Sequence, residues 1–151
     1  MEGSRKVRPF LLATDFGEAS LEALAYARSF ASHFQTKLIV LHVTKEPTPE
    51  GPGLYSSANY QELVEKIKAD NLRRLEGWLS ANNALSAASE LVVEFGSPSE
   101  QIIQLADRLK ADTIVMGLRH SAHTGMAAHM PWATAYEVVS HAGCPALTVR
   151  V

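Results

Sequence analysis

The chain has 151 residues, the length of one typical domain and enough to bury a substantial core. Hydrophobic residues make up 46% and charged residues 20% of the sequence, proportions that exclude a disordered or fibrous protein. Fourteen Lys and Arg against sixteen Asp and Glu give a formal net charge of −2, which excludes the global basic field used in non-specific nucleic-acid or anionic-membrane binding.

The first part of the chain alternates strands with helices. The apolar run from Phe10 to Ala13 predicts a first strand, and the run from Leu38 to Val43 predicts a second. Between them, apolar residues recur at helical spacing at Leu21, Leu24, Ala27, Ala31 and Phe34. The segment Thr44–Asn59 contains three prolines and two glycines and predicts a long flexible loop, either a lid or a partner surface. A second helix is expected from Tyr60.

The next part of the chain predicts another strand, helix and strand. Leu91–Phe95 is β-rich, and Ser97–Glu100 has the spacing of a capping box with proline at the first helical position. We therefore expect a third strand followed at once by a third helix. Thr113–Met116 predicts a fourth strand, which Gly117 is expected to end.

The chain closes with a helix from about Pro131 to His141 and a fifth strand over Ala146–Val151. Alternating strands and helices predict right-handed βαβ units, hence an α/β fold. We expect a single domain over residues 1–151, with an open, parallel, five-stranded sheet and helices on both faces. Ligands of such sheets lie beyond the carboxyl ends of the strands, where the winding direction reverses.

Signals for targeting and for catalysis are weak. No apolar stretch suits a signal peptide or a membrane span, and a lone Cys144 cannot form an intramolecular disulfide, so a cytoplasmic protein is expected. Asp15, after the first strand, has the position to bind ribose hydroxyls or a metal-bound water, although capping the next helix is the more common role.

The histidines after Gly117 leave a metal site open. His120, His123 and His129 fall within ten residues and offer nitrogen ligands, but their spacing matches no metal signature, so hydrogen bonds to loop carbonyls are favoured. No nucleophile motif is present, and Cys144 is expected to be a small buried apolar residue. We therefore assign no catalytic and no metal-binding residue.

Taken together, several segments of the chain resemble the universal stress protein family. They are Leu11–Phe16, Leu41–Val43, Glu94–Pro98, Ala111–Gly117, His141–Pro145 and Thr148–Arg150. The order and spacing of these segments carry the resemblance, which covers nearly the whole chain. The resemblance implies the five-stranded parallel fold of that family, which is also described as adenine nucleotide alpha hydrolase-like.

The resemblance also implies a degenerate nucleotide site. In the nucleotide-binding branch of the family, ATP is held by a Thr-Asp after strand one, a valine after the histidine of strand two, and a Gly-x2-Gly-x9-Gly-[Ser/Thr] loop. The matching positions here are Thr14, Asp15, Val43, Met116 and Gly117. His120 stands where the second glycine belongs, and Met130-Pro131 or Trp132-Ala133, depending on the alignment, stands in place of Gly-[Ser/Thr]. Bulky side chains there are expected to weaken or abolish triphosphate binding.

By this resemblance the chain is a stress-response binding or regulatory module that lacks a complete ATP motif and is not an enzyme. The alternative keeps ATP or another adenine nucleotide as its cofactor, with Arg119, His120 and Ser121 contacting phosphates from the 117–133 loop. A weak ATPase, or a metal-assisted hydrolase using Asp15 and the histidines, is a third interpretation.

The resemblance further implies a homodimer, since family members often pair their final strands about a twofold axis. Leu147–Val151 has the β-rich composition for such pairing, with Arg150 as its single charge. An apolar edge strand left bare would favour aggregation, which a partner relieves. Further protein partners remain candidates, whereas nucleic acid and membranes are not expected partners.

Overall fold

The structure, a computed structural model, describes residues 6–47, 57–119 and 129–151. Within these ranges the strands are β1 (Phe10–Ala13), β2 (Leu38–Thr44), β3 (Glu90–Phe95), β4 (Thr113–Leu118) and β5 (Ala146–Arg150). The helices are α1 (Glu18–His33), α2 (Ser57–Ala81), α3 (Pro98–Leu109) and α4 (His129–His141), with a short 3₁₀ turn at Leu85–Ala87.

The five strands form one parallel sheet in the order β3-β2-β1-β4-β5. β1 is central: its Leu12 pairs with Val40 of β2 on one side and with Val115 of β4 on the other. The chain first winds outward through β2 and β3, and then crosses back to add β4 and β5 beyond β1. The predicted α/β fold is confirmed, and the winding reverses between β1 and β4.

The side chains of the strands alternate between two hydrophobic layers. Phe10 and Leu12 pack with α1 and α2, whereas Leu11 between them packs with α3 and α4. This alternation follows from the two-residue period of a strand. Burial of one such leucine contributes about 2 kcal/mol of hydrophobic stabilisation. Helices therefore cover both faces of the sheet, as a continuous apolar strand sequence requires.

Gly117 does not end β4, which continues to Leu118, so the predicted end of this strand was wrong. A Cβ atom at Gly117 would lie 2.3 Å from the carbonyl carbon of Ala19 and 2.7 Å from the backbone nitrogen of Ser20. The first turn of α1 thus rests directly on β4. Glycine is required here for the close approach of two backbones, and the strand passes through it unbroken.

Other element boundaries differ from expectation by a few residues. α2 begins at Ser57, so the last three residues of the predicted 44–59 loop are helical, while Thr44 is the last residue of β2. Residues 48–56 of that loop lie outside the described residues. α4 begins two residues before Pro131. α2 thus begins three residues before Tyr60, where its predicted start lies.

The start of α3 is as predicted, but its capping is not. Ser97 is the N-cap and Pro98 the first helical residue, yet no side-chain hydrogen bond from Ser97 caps the helix, so the predicted capping box with Glu100 is wrong. The Ser97 Oγ instead lies 3.4 Å from the Ser99 Oγ. The fixed φ of proline suffices to begin the helix at this residue.

In the described part of the chain, no helix has the length and apolarity to cross a membrane.

The close approach at Gly117 predicts a large loss of stability in Gly117→Ala. Displacing the α1 backbone from β4 should lower the free energy of unfolding by about 1–3 kcal/mol, the range for an overpacked core. Gly77→Ala is the matched control, because a Cβ at this exposed α2 position contacts nothing within 4 Å. The control should raise the free energy of unfolding by about 0.5–1 kcal/mol. Urea unfolding measures both, and equal stability of the two variants would contradict the packing argument.

Candidate functional site

The carboxyl ends of β1, β2 and β4 open into a cleft of about 220 Å³. It lies where the winding of the sheet reverses, the expected ligand position for this class of fold. Five residues that were predicted as site residues line it, namely Thr14, Asp15, Val43, Met116 and Gly117. The structure thus brings five predicted residues from the ends of three strands into one cavity.

The three other predicted site residues differ in placement. Arg119 is exposed, one residue beyond β4, and its Nη2 lies 3.2 Å from the position that a Cβ of Gly17 would occupy. The guanidinium therefore stands beside the turn that carries Asp15, although Arg119 is not among the residues that line the cleft. His120 and Ser121 lie outside the described residues.

The turn between β1 and α1 is built around Asp15. Its Oδ1 accepts hydrogen bonds from the Gly17 N–H (2.8 Å) and the Ser20 hydroxyl (2.8 Å), and the Thr14 Oγ1 accepts one from the Phe16 N–H (3.0 Å). Thr14 and Ser20 are buried, whereas Asp15 is exposed. Asp15 therefore holds the turn that precedes α1 and presents a carboxylate at the cleft. It does not cap the helix, because the N-cap is Gly17 and no side-chain hydrogen bond caps α1, so the predicted capping role is wrong.

Phe16 occupies a strained position in this turn. Its φ of 66° lies in the left-handed region, which costs a non-glycine residue about 1 kcal/mol or more. On the side of the sheet that faces α2, the Phe16 ring lies 4.3 Å from the ring of His42, and the guanidinium of Arg74 lies 4.3 Å from the Phe16 ring centroid. Trp78 packs edge-on against it at 5.9 Å. Contacts from β2 and α2 thus hold the side chain of a strained residue.

His42, on β2, is half-buried. Its Nδ1 lies 2.8 Å from the Thr14 carbonyl oxygen; because a carbonyl can only accept, the Nδ1–H donates. Burial lowers the pKa of His42 below its ordinary value of 6.5; the nearby Arg74 lowers it further, while the hydrogen bond to Thr14 and the charge of Asp15 act in the opposite direction. The neutral imidazole is therefore the form that the fold favours.

Other residues of the cleft were not predicted as site residues. They are Ala13, Ser20, Leu41, Pro98, Ile102 and Thr134. Pro98 could have been found, because it follows β3 and so lies at the same edge of the sheet as Asp15. Ile102 and Thr134 come from α3 and α4, which cover one face of the sheet. Ile102 is both a core residue and part of the cleft wall.

The described residues form no cluster of candidate metal ligands. Among these, no three His, Cys, Asp or Glu side chains lie close enough together to hold a metal ion. His120 and His123 lie outside the described residues, and His129 is the first residue of α4. Cys144 is a half-buried free thiol whose pKa is raised by burial, which agrees with its expected role as a small apolar residue.

The neutral state of His42 predicts a pH-dependent contribution to stability. As the pH falls below 6.5, the unfolded chain binds a proton at this histidine before the folded chain does, so the free energy of unfolding should decrease until the lower folded pKa is passed. His42→Asn retains an N–H donor for Thr14 but cannot titrate. Between pH 8 and 5, urea unfolding should show that the free energy of unfolding of wild type falls relative to that of the variant as the pH decreases. The same pH dependence in both proteins would contradict a lowered pKa of His42 in the folded chain.

Comparison with known proteins gives relatives that span the whole domain. A universal stress protein of Methanocaldococcus jannaschii, MJ0531, is 25% identical over 148 residues, which are 98% of this chain and 85% of the relative. A universal stress protein of Thermus aquaticus is 29% identical over 143 residues, which are 95% of this chain and 98% of the relative.

Solved structures share the fold at lower identity. The hypothetical protein MJ0577 has a TM-score of 0.71 at 22% identity and covers 97% of this chain and 98% of its own. A universal stress protein in complex with cAMP has a TM-score of 0.59 at 20% identity, with the same coverage. The protein from Archaeoglobus fulgidus in complex with dAMP has a TM-score of 0.55 at 18% identity and covers 96% and 99%. Since residues 6–150 match the sequence pattern of the universal stress protein family, the chain belongs to that family.

Proposed function

We propose that this chain is a non-enzymatic, stress-response binding module that takes an adenine nucleotide in the cleft and lacks the full motif for a triphosphate. The observation that carries the proposal is the convergence of Asp15 with residues of β2 and β4 on one cleft at the reversal point of the sheet. A nucleotide needs an apolar wall for its base and a polar group for its ribose, and the cleft offers both.

The base and the ribose have separate binding surfaces. Leu41 and Val43 on β2, with Ile102 and Met116, give the cleft an apolar wall suited to a flat purine. The exposed Asp15 carboxylate can accept hydrogen bonds from ribose hydroxyls. The cAMP and dAMP complexes of two structural neighbours each contain an adenine nucleotide with a single phosphate, which supports this ligand class.

The phosphate side favours a short phosphate chain. His120 stands in place of the second glycine after Gly117, and Met130-Pro131 or Trp132-Ala133 stands in place of Gly-[Ser/Thr], where glycines would let backbone amides surround a triphosphate. In the described part of the chain, Leu118 is buried and Arg119 places its guanidinium beside the Asp15 turn. One guanidinium can pair with a single phosphate group, so we expect AMP to bind more tightly than ATP.

Binding alone, without catalysis, agrees with the titratable groups of the cleft. Of the described residues that line it, Asp15 is the one titratable side chain, and its Oδ1 already holds Gly17 and Ser20. General acid–base catalysis needs a group free to exchange a proton with the substrate, usually with a second group to orient it. The cleft presents the elements of a binding site and no such pair among these residues.

We also propose that β5 forms a homodimer interface. The sheet has two edges, β3 and β5. β3 carries Glu90 and Glu94, charges that discourage a second chain from pairing there, whereas β5 is uncharged until Arg150. Val151, just beyond β5, leaves 45% of its side chain exposed. The β5 edge, Leu147–Val151, is therefore the edge suited to twofold pairing with a second copy.

Nucleotide binding is tested first by calorimetry on protein stripped of bound small molecules. We expect a Kd for AMP near the micromolar range, about −8 kcal/mol, and weaker binding of ATP. Asp15→Asn, which keeps an oxygen acceptor for Gly17 and Ser20 but loses the charge, should weaken AMP binding by about tenfold. Asp107→Asn, an exposed carboxylate on α3, is the matched control and should leave the affinity unchanged.

The same experiment discriminates between the alternatives. Tight, magnesium-dependent ATP binding would favour phosphate contacts from Arg119 and its neighbours over the monophosphate preference. A stripped protein that binds neither nucleotide, with none released from the purified protein on denaturation and detected by mass spectrometry, would contradict the proposed function.

The dimer is tested by light scattering at micromolar concentration. The wild-type chain should have twice the mass of one chain. Thr148→Glu introduces a carboxylate on each β5 edge strand near the twofold axis, and like charges at this distance should shift the protein to monomer. Glu90→Gln, on the opposite edge of the sheet, should stay dimeric. A monomeric wild-type protein would exclude β5 pairing.

A further inference from the structure

The side chains of β2 divide between the cleft and the opposite face of the sheet. Leu41 and Val43 line the cleft, whereas His42 between them contacts Phe16, which packs in the layer of α1 and α2. The alternation is that of any strand. The alternation places β2 in contact with the cleft on one face of the sheet and with Phe16 on the other.

Phe16 and its partners link the cleft turn to the surface of α2. Phe16 lies between Asp15 and Gly17 in the chain. Asp15 lines the cleft, and its carboxylate accepts a hydrogen bond from the Gly17 N–H. Its ring is held by the imidazole of His42, the indole of Trp78 and the guanidinium of Arg74, at centroid distances of 4.3, 5.9 and 4.3 Å. Arg74 is exposed on α2, across the sheet from the cleft wall formed by α3 and α4.

The left-handed backbone at Phe16 needs these contacts. A residue in this conformation reverts to an ordinary one unless its surroundings hold it, and a changed φ at Phe16 would turn the neighbouring carboxylate of Asp15 away from its present direction. The hydrogen bonds of Thr14 and Asp15 fix the backbone side of the turn, and the ring contacts fix the side chain.

We propose that Phe16, clamped by Arg74 and His42, is a positioning residue that aims the Asp15 carboxylate into the cleft, so that Arg74 on α2 sets ligand affinity without touching the ligand. The inference rests on the proposed function for its ligand, an adenine mononucleotide. The clamp itself is a property of the turn, and it has a consequence that needs no ligand. Loss of the clamp should release the hydrogen-bonded Phe16 and Gly17 amides to exchange with solvent more often.

The experiment compares three α2 variants of the full chain with wild type. Arg74→Met keeps an unbranched side chain but removes the cation, and should weaken AMP binding by about threefold, the loss expected for an exposed cation–π contact. Arg74→Lys keeps a cation over the ring and should restore most of the affinity. Arg73 pairs with Asp70 on the exposed side of α2. Arg73→Met is therefore the matched control and should bind AMP as wild type does.

Phe16→Leu and Phe16→Tyr give the same comparison at the ring itself. The leucine variant loses the aromatic contacts with His42, Trp78 and Arg74 and should weaken AMP binding by about tenfold, while tyrosine keeps the ring and should retain the affinity. Urea unfolding on each variant confirms that it is folded at the temperature of calorimetry. A merely structural role would lower the stability of Arg74→Met and leave its AMP affinity unchanged.

Amide hydrogen exchange separates failure of this inference from failure of the proposed function. In Arg74→Met, exchange of the Phe16 and Gly17 amides should be about threefold faster than in wild type and in Arg73→Met. If wild type binds AMP and Arg74→Met shows neither weaker binding nor faster exchange, the clamp is overturned and the proposed function stands. If wild type binds no AMP, faster exchange at these two amides still supports the clamp, and unchanged exchange overturns it.

Discussion

The contact between the first turn of α1 and β4 at Gly117 determines the position of the candidate site. Because the backbone of Ala19 lies where a side chain of residue 117 would be, α1 begins directly over the sheet, between β1 and β4. The chain must therefore leave β1 and enter α1 within the four residues from Thr14 to Gly17. So short a turn requires local hydrogen bonds and a left-handed residue, and it exposes Asp15 at the carboxyl edge of the sheet.

Local signals predicted the elements of the fold because strand and helix periodicities are properties of short segments. β1 has the predicted limits, and the other strands differ by one or two residues. Errors occurred where a distant contact decides the outcome. Gly117 looked like a strand terminator, since nothing near it in sequence reveals that α1 packs on it. One local signal also failed. Ser97–Glu100 has the sequence of a capping box, but Pro98 begins the helix and the side-chain hydrogen bond of the box is not made.

The sequence predicts those residues of the candidate site that lie at the ends of parallel strands. Thr14, Val43 and Met116 end or follow apolar runs, so a parallel sheet places them at one edge, and they do line one cleft. Ile102 and Thr134 could not be predicted as cleft residues, because the angle at which a helix crosses the sheet decides which of its residues reach the strand ends. The clamp joins Phe16 to His42 and to Arg74, which is 58 positions further along the chain (74 − 16), and no motif relates them.

The two faces of the sheet differ at the strand ends: one is open and the other is packed. On the face of α3 and α4, apolar side chains leave a space in which a flat base can lie. On the face of α1 and α2, the space behind the same strand ends is filled by Phe16, His42 and Trp78. A turn packed from behind and open in front holds its carboxylate in place before a ligand arrives, so binding need not supply the free energy of ordering it. Such preorganisation suits this site, whose polar groups are the Asp15 carboxylate and the nearby Arg119 guanidinium. With so few polar groups, affinity depends on how each one is oriented.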